Sequence, residues 1–184
     1  MIVLACSGRA RHGKTEACEA VYRHVTAQGG TAKLYDIGDM IRRFCISTGR
    51  LPQVERKDMT REQLEILINV GKKQRAIDVN FWIGELVRTI KAEQPDVALC
   101  PNARYESEAV AFRDIGGYML RLTRLNANGS VFISEDRPAN DISETALEFW
   151  PADFYITHKT GQLELVKRQA VTLYEFIKEQ AHGE

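Results

Sequence analysis

Gly8-Arg9-Ala10-Arg11-His12-Gly13-Lys14-Thr15 follows the apolar run Ile2-Val3-Leu4-Ala5-Cys6 with only Ser7 between them. The octapeptide fits the pattern G-x-x-x-x-G-K-[ST], and each fixed position has a physical reason. Gly8 and Gly13 let the backbone turn so that successive N–H groups converge on phosphate oxygens. Lys14 brings a point charge to the β- and γ-phosphates. Thr15 offers a hydroxyl to Mg²⁺. A helix opening at Lys14 adds the positive end of its dipole. Such a loop must sit between a buried strand and a helix, and the flanking residues supply both. The segment therefore reads as a P-loop suited to the phosphates of ATP or a close relative. Arg9, Arg11 and His12 make it unusually basic. They either add charge beside the phosphates or simply occupy tolerant, solvent-facing positions.

Working outward, the run from Ile2 to Cys6 is apolar throughout, as in a strand buried on both faces of a parallel sheet. Ala17, Ala20, Val21 and Val25 recur at helical spacing until Gly29-Gly30 stops the helix. A short second strand is expected over Thr31–Tyr35, a helix from Met40 to about Ile46, and a loop over Thr48–Asp58. Thr60-Arg61-Glu62-Gln63 is a capping-box start. It opens a long helical stretch to about Glu93, with a break near Asp78. A third strand is expected over Val97–Cys100, a helix over Arg104–Ile115, a strand over Tyr118–Thr123, a last strand over Phe154–Thr157 and a closing helix over Leu163–Gln180. The segment from Leu125 to Asp141 is polar and turn-rich, around an ambiguous apolar island at Val131-Phe132-Ile133. Strands alternating with helices imply a parallel sheet covered on both faces.

The chain has 184 residues, which favours one domain spanning 1–184. Charged residues make up 27% and formal net charge is +0, so no global basic field draws in nucleic acid. No apolar run approaches the roughly 18 residues of a membrane span. The N-terminal run lacks the basic start and length of a signal peptide. The cysteines, at 6, 18, 45 and 100, lack CxxC spacing, which argues against zinc. Reduced thiols in the cytoplasm are the simplest reading, with Cys6 and Cys100 as small core residues.

A P-loop defines a donor and leaves the acceptor open. The Asn-Lys-x-Asp segment of GTPases is absent. Scattered arginines suit a kinase for a small phosphorylated acceptor, because two phosphate-bearing substrates need positive charge between them. Leu64, Leu67, Gly71, Arg75, Asp78 and Trp82 share one helical stripe that begins apolar and turns polar, as a face leaving the core for a cleft would. The competing reading is that Asp78 only caps the next helix. Asn102, Arg104, Tyr105 and Glu108 follow the third strand directly, where ligands bind in doubly wound sheets. The competing reading there is a surface pair of Arg104 with Glu108.

In their shared order, these residues resemble the bacteriophage-type deoxynucleoside monophosphate kinases of the P-loop kinase superfamily. The resemblance rests on Ser7–Lys14, Ile37-Gly38-Asp39, the spaced Gly71, Arg75, Asp78 and Trp82, Arg104-Tyr105 with Glu108, Gly116-Gly117 with Arg124, Ser143-Glu144-Thr145-Ala146-Leu147, and Asp153-Phe154 with Gly161. It implies a three-layer αβα fold on a five-stranded parallel sheet, with a lid near residues 125–141. It implies ATP with Mg²⁺ as donor and a deoxynucleoside monophosphate as acceptor, in the cytoplasm of an infected bacterial host. Lys14, Arg104 and Arg137 are then the catalytic cations. Arg11, His12, Gly13, Lys14, Thr15, Glu16 and Arg124 bind the donor, and Thr15 ligates the metal. Asp36, Asp39, Arg42, Arg75, Asp78, Trp82, Arg104 and Glu108 form the acceptor side, with Trp82 on or near the base. Arg124 and Arg137 close over the phosphates with the lid.

One departure matters. The family usually carries Asp two residues before the arginine, and this chain has Asn102. Either Asp36 or Asp39 serves the metal through water, or the acceptor chemistry differs. The runner-up acceptor is a hydroxymethylated base in phage DNA, and a catalytically silent nucleotide-binding module is the reading from another class. An alcohol acceptor would want a general base, so Asn102 favours the monophosphate. Oligomeric state is not written in the sequence, and a homodimer is left open.

Overall fold

The computed structural model describes residues 1–135 and 138–182. Its strands are β1 (Ile2–Ser7), β2 (Ala32–Leu34), β3 (Val97–Cys100), β4 (Tyr118–Leu125) and β5 (Phe154–Lys159). The helices are α1 (Lys14–Ala27), α2 (Ile37–Ser47), α3 (Arg61–Ile77), α4 (Phe81–Glu93), α5 (Glu106–Asp114), the short α6 (Ile142–Thr145) and α7 (Leu163–His182). The five strands form one sheet in the order β2-β3-β1-β4-β5, and every pairing is parallel.

Alternation along β1 separates the two cores, because successive side chains point to opposite faces. Val3 and Ala5 face a layer built with Ile41, Leu67, Trp82, Leu86, Ile90 and Phe112 from α2 to α5. Leu4 and Cys6 face Ala17, Val21 and Val25 of α1 and Val166, Ala170 and Ile177 of α7. The architecture is thus the expected α/β sandwich of three layers. Because β1 is flanked by β3 and β4, the chain order reverses on either side of it. A crevice opens at the C-terminal end of β1 for that reason, and the glycine loop lies in it.

Local capping accounts for where the elements begin. α2 starts at Ile37, three residues before the expected Met40, because the Asp36 carboxylate accepts the Asp39 N–H and caps the helix. α3 carries the reciprocal Thr60–Gln63 capping box. α5 starts at Glu106 and leaves Arg104 outside the helix, since Glu108 reaches back to the N–H groups of Arg104 and Tyr105. The island at Val131 makes one antiparallel bridge to Leu125, across a turn in which the Asn126 N–H donates to Ser130. No described helix is long and apolar enough to cross a membrane.

Candidate functional site: two clefts on either side of the glycine loop

The loop's shape comes from three left-handed residues. Gly8 has φ 131°, Arg11 φ 60° and Gly13 φ 85°. A Cβ on Gly8 would sit 2.3 Å from the Leu122 carbonyl oxygen, so the loop can lie this close to β4 only with glycine there. Gly13 is the N-terminal flank of α1, and its conformation aims the helix axis at the loop. The Lys14 ammonium is folded into the loop, donating to the carbonyls of Gly8 and Arg9 at 2.8 Å each.

His12 turns inward and is 2% exposed. Its Nδ1 lies 3.1 Å from the Leu122 carbonyl and its Nε2 2.9 Å from that of Phe132, so the ring ties the loop to β4 and to the segment beyond. Burial lowers its pKa, against the opposing pull of those two carbonyls. The His12 carbonyl in turn accepts from His158 Nε2 at 3.2 Å.

The first cleft, of about 330 Å³, is lined by Arg11, His12, Gly13, Lys14, Thr15, Glu16 and Arg124, together with His158, Gly161 and Leu163. Every residue assigned to the donor side from the sequence is therefore in one place. Arg124 is positioned from three directions. Its guanidinium lies over the Phe132 ring at 3.8 Å, its Nε donates to Thr160 at 3.0 Å, and its Nη1 reaches the Arg11 carbonyl at 3.4 Å. Thr15 is exposed at the cleft mouth.

The second cleft, of about 100 Å³, lies on the other side of the loop. Gly8, Arg9, Arg104, Arg121, Ser143, Glu144 and Glu148 line it. Arg104 donates to the Glu144 carboxylate at 2.6 Å and to the Ser143 carbonyl at 3.1 Å. Arg9 pairs with Glu148 at 3.2 Å and donates to the Ala139 carbonyl. Arg121 spends its donors on the carbonyls of Leu147, Glu148 and Trp150, which fastens the turn after α6 to β4.

Behind Arg104 lies a second polar knot. Glu108 is 3% exposed, and its carboxylate accepts from the Arg104 and Tyr105 N–H groups at 2.7 and 3.3 Å. Arg75 reaches the same carboxylate at 3.4 Å and lies over the Tyr105 ring at 4.6 Å. Burial pushes the Glu108 carboxyl up, and the N–H groups and Arg75 offset this only in part. Arg75 is thus joined to Arg104 and Glu108, from which it is distant in sequence. Glu108 is no surface partner of the Arg104 side chain; it holds that residue's backbone.

Other acceptor-side residues are placed differently. Trp82, expected beside a base, is 2% exposed in the core, packed edge-on against Phe44 and Phe81, with its indole N–H donating to the Gly71 carbonyl at 3.3 Å. Of the stripe expected to leave the core, Asp78 is exposed and Arg75 half-buried, whereas Trp82 lies inside the core. Asp78 sits at the exposed C-terminal end of α3 and accepts the Asn80 N–H at 2.8 Å, a local role in the turn between the helices; it does not cap the next helix as its competing reading had it, since α4 starts at Phe81 with Asn80 as its N-cap. Arg42 is buried against Asp39 and the Val54 carbonyl, and Asp39 also holds Arg43. Asp36 alone of the two acids turns to β3, where Asn102 donates to it at 2.5 Å. Arg137 lies outside the described residues.

Arg9 and Glu144 were not assigned to the site from the sequence. The signal for Glu144 was faint, an acid opening a short helix after a run of turn formers. The signal for Arg9 was its position inside the loop.

No protein-family model matches the sequence, and no curated protein matches it. Solved structures do. The APS kinase CysC of Mycobacterium tuberculosis in complex with AMPPNP and APS is 14% identical with a TM-score of 0.52, over 95% of this chain and 97% of that one. A cysteine-to-alanine mutant of that enzyme gives 14% identity and a TM-score of 0.50, over 95% and 96%. The chain has the P-loop kinase fold. At such identity the likeness is one of fold, and it spans nearly the full length of both chains.

Proposed function

We propose that this chain is an ATP-dependent phosphotransferase whose acceptor is a deoxynucleoside monophosphate. The observation that carries the reading is the glycine loop lying between two clefts, each with an arginine on its far wall. Donor phosphates fit the first cleft, against the loop N–H groups, Lys14 and Arg124. The acceptor fits the second, with its phosphate toward Arg104 and with Arg75 behind.

The loop suits an anion on the evidence of its own contacts, since the Ala10 N–H already donates to a carboxylate. ATP with Mg²⁺ supplies the transferable phosphoryl group and neutralises part of its charge. Thr15 would hold the metal, with Asp36 acting on it through Asn102 or water. Lys14, released from the Gly8 and Arg9 carbonyls, would follow the charge that develops on the transferring group. The arrangement works by position and charge, with no need for a base if the acceptor is a phosphate. Residues 125–141 would close over both clefts and exclude water.

A coupled ADP-release assay across the common (d)NMPs and hydroxymethylated DNA tests this reading. The proposal expects turnover with one or a few deoxynucleoside monophosphates. Turnover on the DNA alone would favour the alcohol-phosphorylating kinase, and steady ATP binding with no turnover would favour a silent nucleotide-binding module.

A further inference from the structure

The second cleft contains an anion of the protein's own. Glu144 belongs to α6, and its side chain is 5% exposed. One carboxylate oxygen accepts the Ala10 N–H of the glycine loop at 2.5 Å, and the other accepts Arg104 Nη1 at 2.6 Å. The group therefore bridges opposite walls of the cleft. Burial pushes its carboxyl up, but the Ala10 N–H, the Arg104 guanidinium and the Lys14 charge outweigh burial and hold it below its ordinary value.

A backbone N–H in a glycine loop and an arginine fork are also the donors a phosphomonoester takes. A phosphate dianion and a buried carboxylate sharing them would stand in contact as like charges, which neither tolerates. The two occupants exclude each other. We infer that the Ala10 N–H and Arg104 form a phosphate-oxygen subsite that Glu144 fills as a resident stand-in, so that a phosphomonoester entering the second cleft must displace the carboxylate. The inference rests on the proposed reading of this cleft as the acceptor side.

The fold gives Glu144 a way out. Its helix has four residues and is secured at its start by Asp141, whose carboxylate accepts from the Ser143 N–H and hydroxyl at 2.8 and 2.7 Å. Swinging α6 outward releases Arg104 from both Glu144 and the Ser143 carbonyl, and leaves the guanidinium facing the loop. Acceptor binding and α6 movement are then one event, and the stand-in keeps Arg104 at the cleft wall until the acceptor arrives.

The test is calorimetric titration of the whole chain with inorganic phosphate and, separately, with AMPPNP, for wild type, Glu144→Gln and Glu148→Gln. Glu148→Gln removes the same charge from the cleft rim without touching Ala10 or Arg104. Glu144→Gln should bind phosphate on the order of tenfold tighter, within the 5- to 150-fold range usual for coupled sites. Glu148→Gln should change it much less, and AMPPNP binding should stay nearly constant. Phosphate binding in Glu144→Gln that is unchanged or weaker overturns the inference. Should that variant fold poorly, amide NMR of the wild type decides: phosphate must shift Ala10 and α6 together, and an unmoved Ala10 overturns the inference. Failure of AMPPNP to bind the wild type would count against the donor cleft instead, leaving the phosphate arm interpretable by itself.

Discussion

The Asn102 side-chain amide donates to the Asp36 carboxylate at 2.5 Å, joining the end of β3 to the N-cap of α2. An amide thus stands where P-loop enzymes commonly end a strand in an acid, and the nearest carboxylate is reached one hydrogen bond further on. Asp36 also caps α2 through the Asp39 N–H. Asparagine caps a helix as well as aspartate does, so Asp36→Asn separates the two roles. The substitution should leave the urea midpoint nearly unchanged while lowering phosphoryl transfer about 10–100-fold and raising the Mg²⁺ requirement, as loss of an outer-sphere metal partner does. Unchanged kcat and unchanged Mg²⁺ dependence would reduce Asp36 to a helix cap.

Gly8→Ala should damage the loop and the sheet together. The new methyl would meet the Leu122 carbonyl oxygen at 2.3 Å from a backbone at φ 131°, and a carbonyl of β4 has little room to yield. A strained conformation of this kind costs roughly 1–3 kcal/mol before the clash is added. Thermal unfolding should show the loss, and AMPPNP binding should weaken with it. A variant as stable as wild type would mean that the loop lies farther from β4.

Trp82 gives the opposite pattern, a stability effect without an acceptor effect. Its ring is 2% exposed among Phe44 and Phe81. Trp82→Ala should cost about 3–5 kcal/mol by urea unfolding, as large aromatic deletions from cores do. Trp82→Phe should keep the wild-type acceptor KM. A large KM increase in the phenylalanine variant, with stability retained, would return Trp82 to the acceptor pocket.

The elements were largely legible in the sequence because their causes are local. Apolar or alternating runs flanked by glycine or proline marked most of the strands, Thr60 and Gln63 announced α3, and the break near Asp78 separated α3 from α4. The donor residues were legible for the same reason, being nearly contiguous around the loop. The acceptor side was not, because long-range pairing decides it. Only the fold brings Arg104 to Glu144 and Arg75 to Glu108. Trp82 shared a helical stripe with Arg75 and Asp78, yet periodicity cannot say where that stripe meets a neighbouring layer, and α2 covers it through Phe44.

Two buried carboxylates should pull the pH dependence of stability in opposite directions. Glu144 is held below its ordinary value of 4.5 despite burial, by the Ala10 N–H and Arg104. Its contribution is present above that value and is lost as pH falls through its lower folded value. Glu108 is raised by burial, so its contribution is fully present below 4.5 and is lost as pH rises through its higher folded value. Chemical denaturation across the acid range should therefore show the difference between wild type and Glu144→Gln shrinking as pH falls. The difference for Glu108→Gln should turn less favourable to wild type as pH rises. Parallel curves for the two variants would contradict the assigned directions.

The central claim is that the glycine loop transfers a phosphoryl group, and Lys14→Ala tests it most directly in the same coupled ADP-release assay, run on the best acceptor found. Lys14 donates to the Gly8 and Arg9 carbonyls of the loop and belongs to neither apolar core, so the fold should survive by circular dichroism. Loss of a cation that follows transition-state charge typically costs about 10²–10³ in rate, and the account predicts a fall of at least that size. Near wild-type turnover by the folded variant would contradict it.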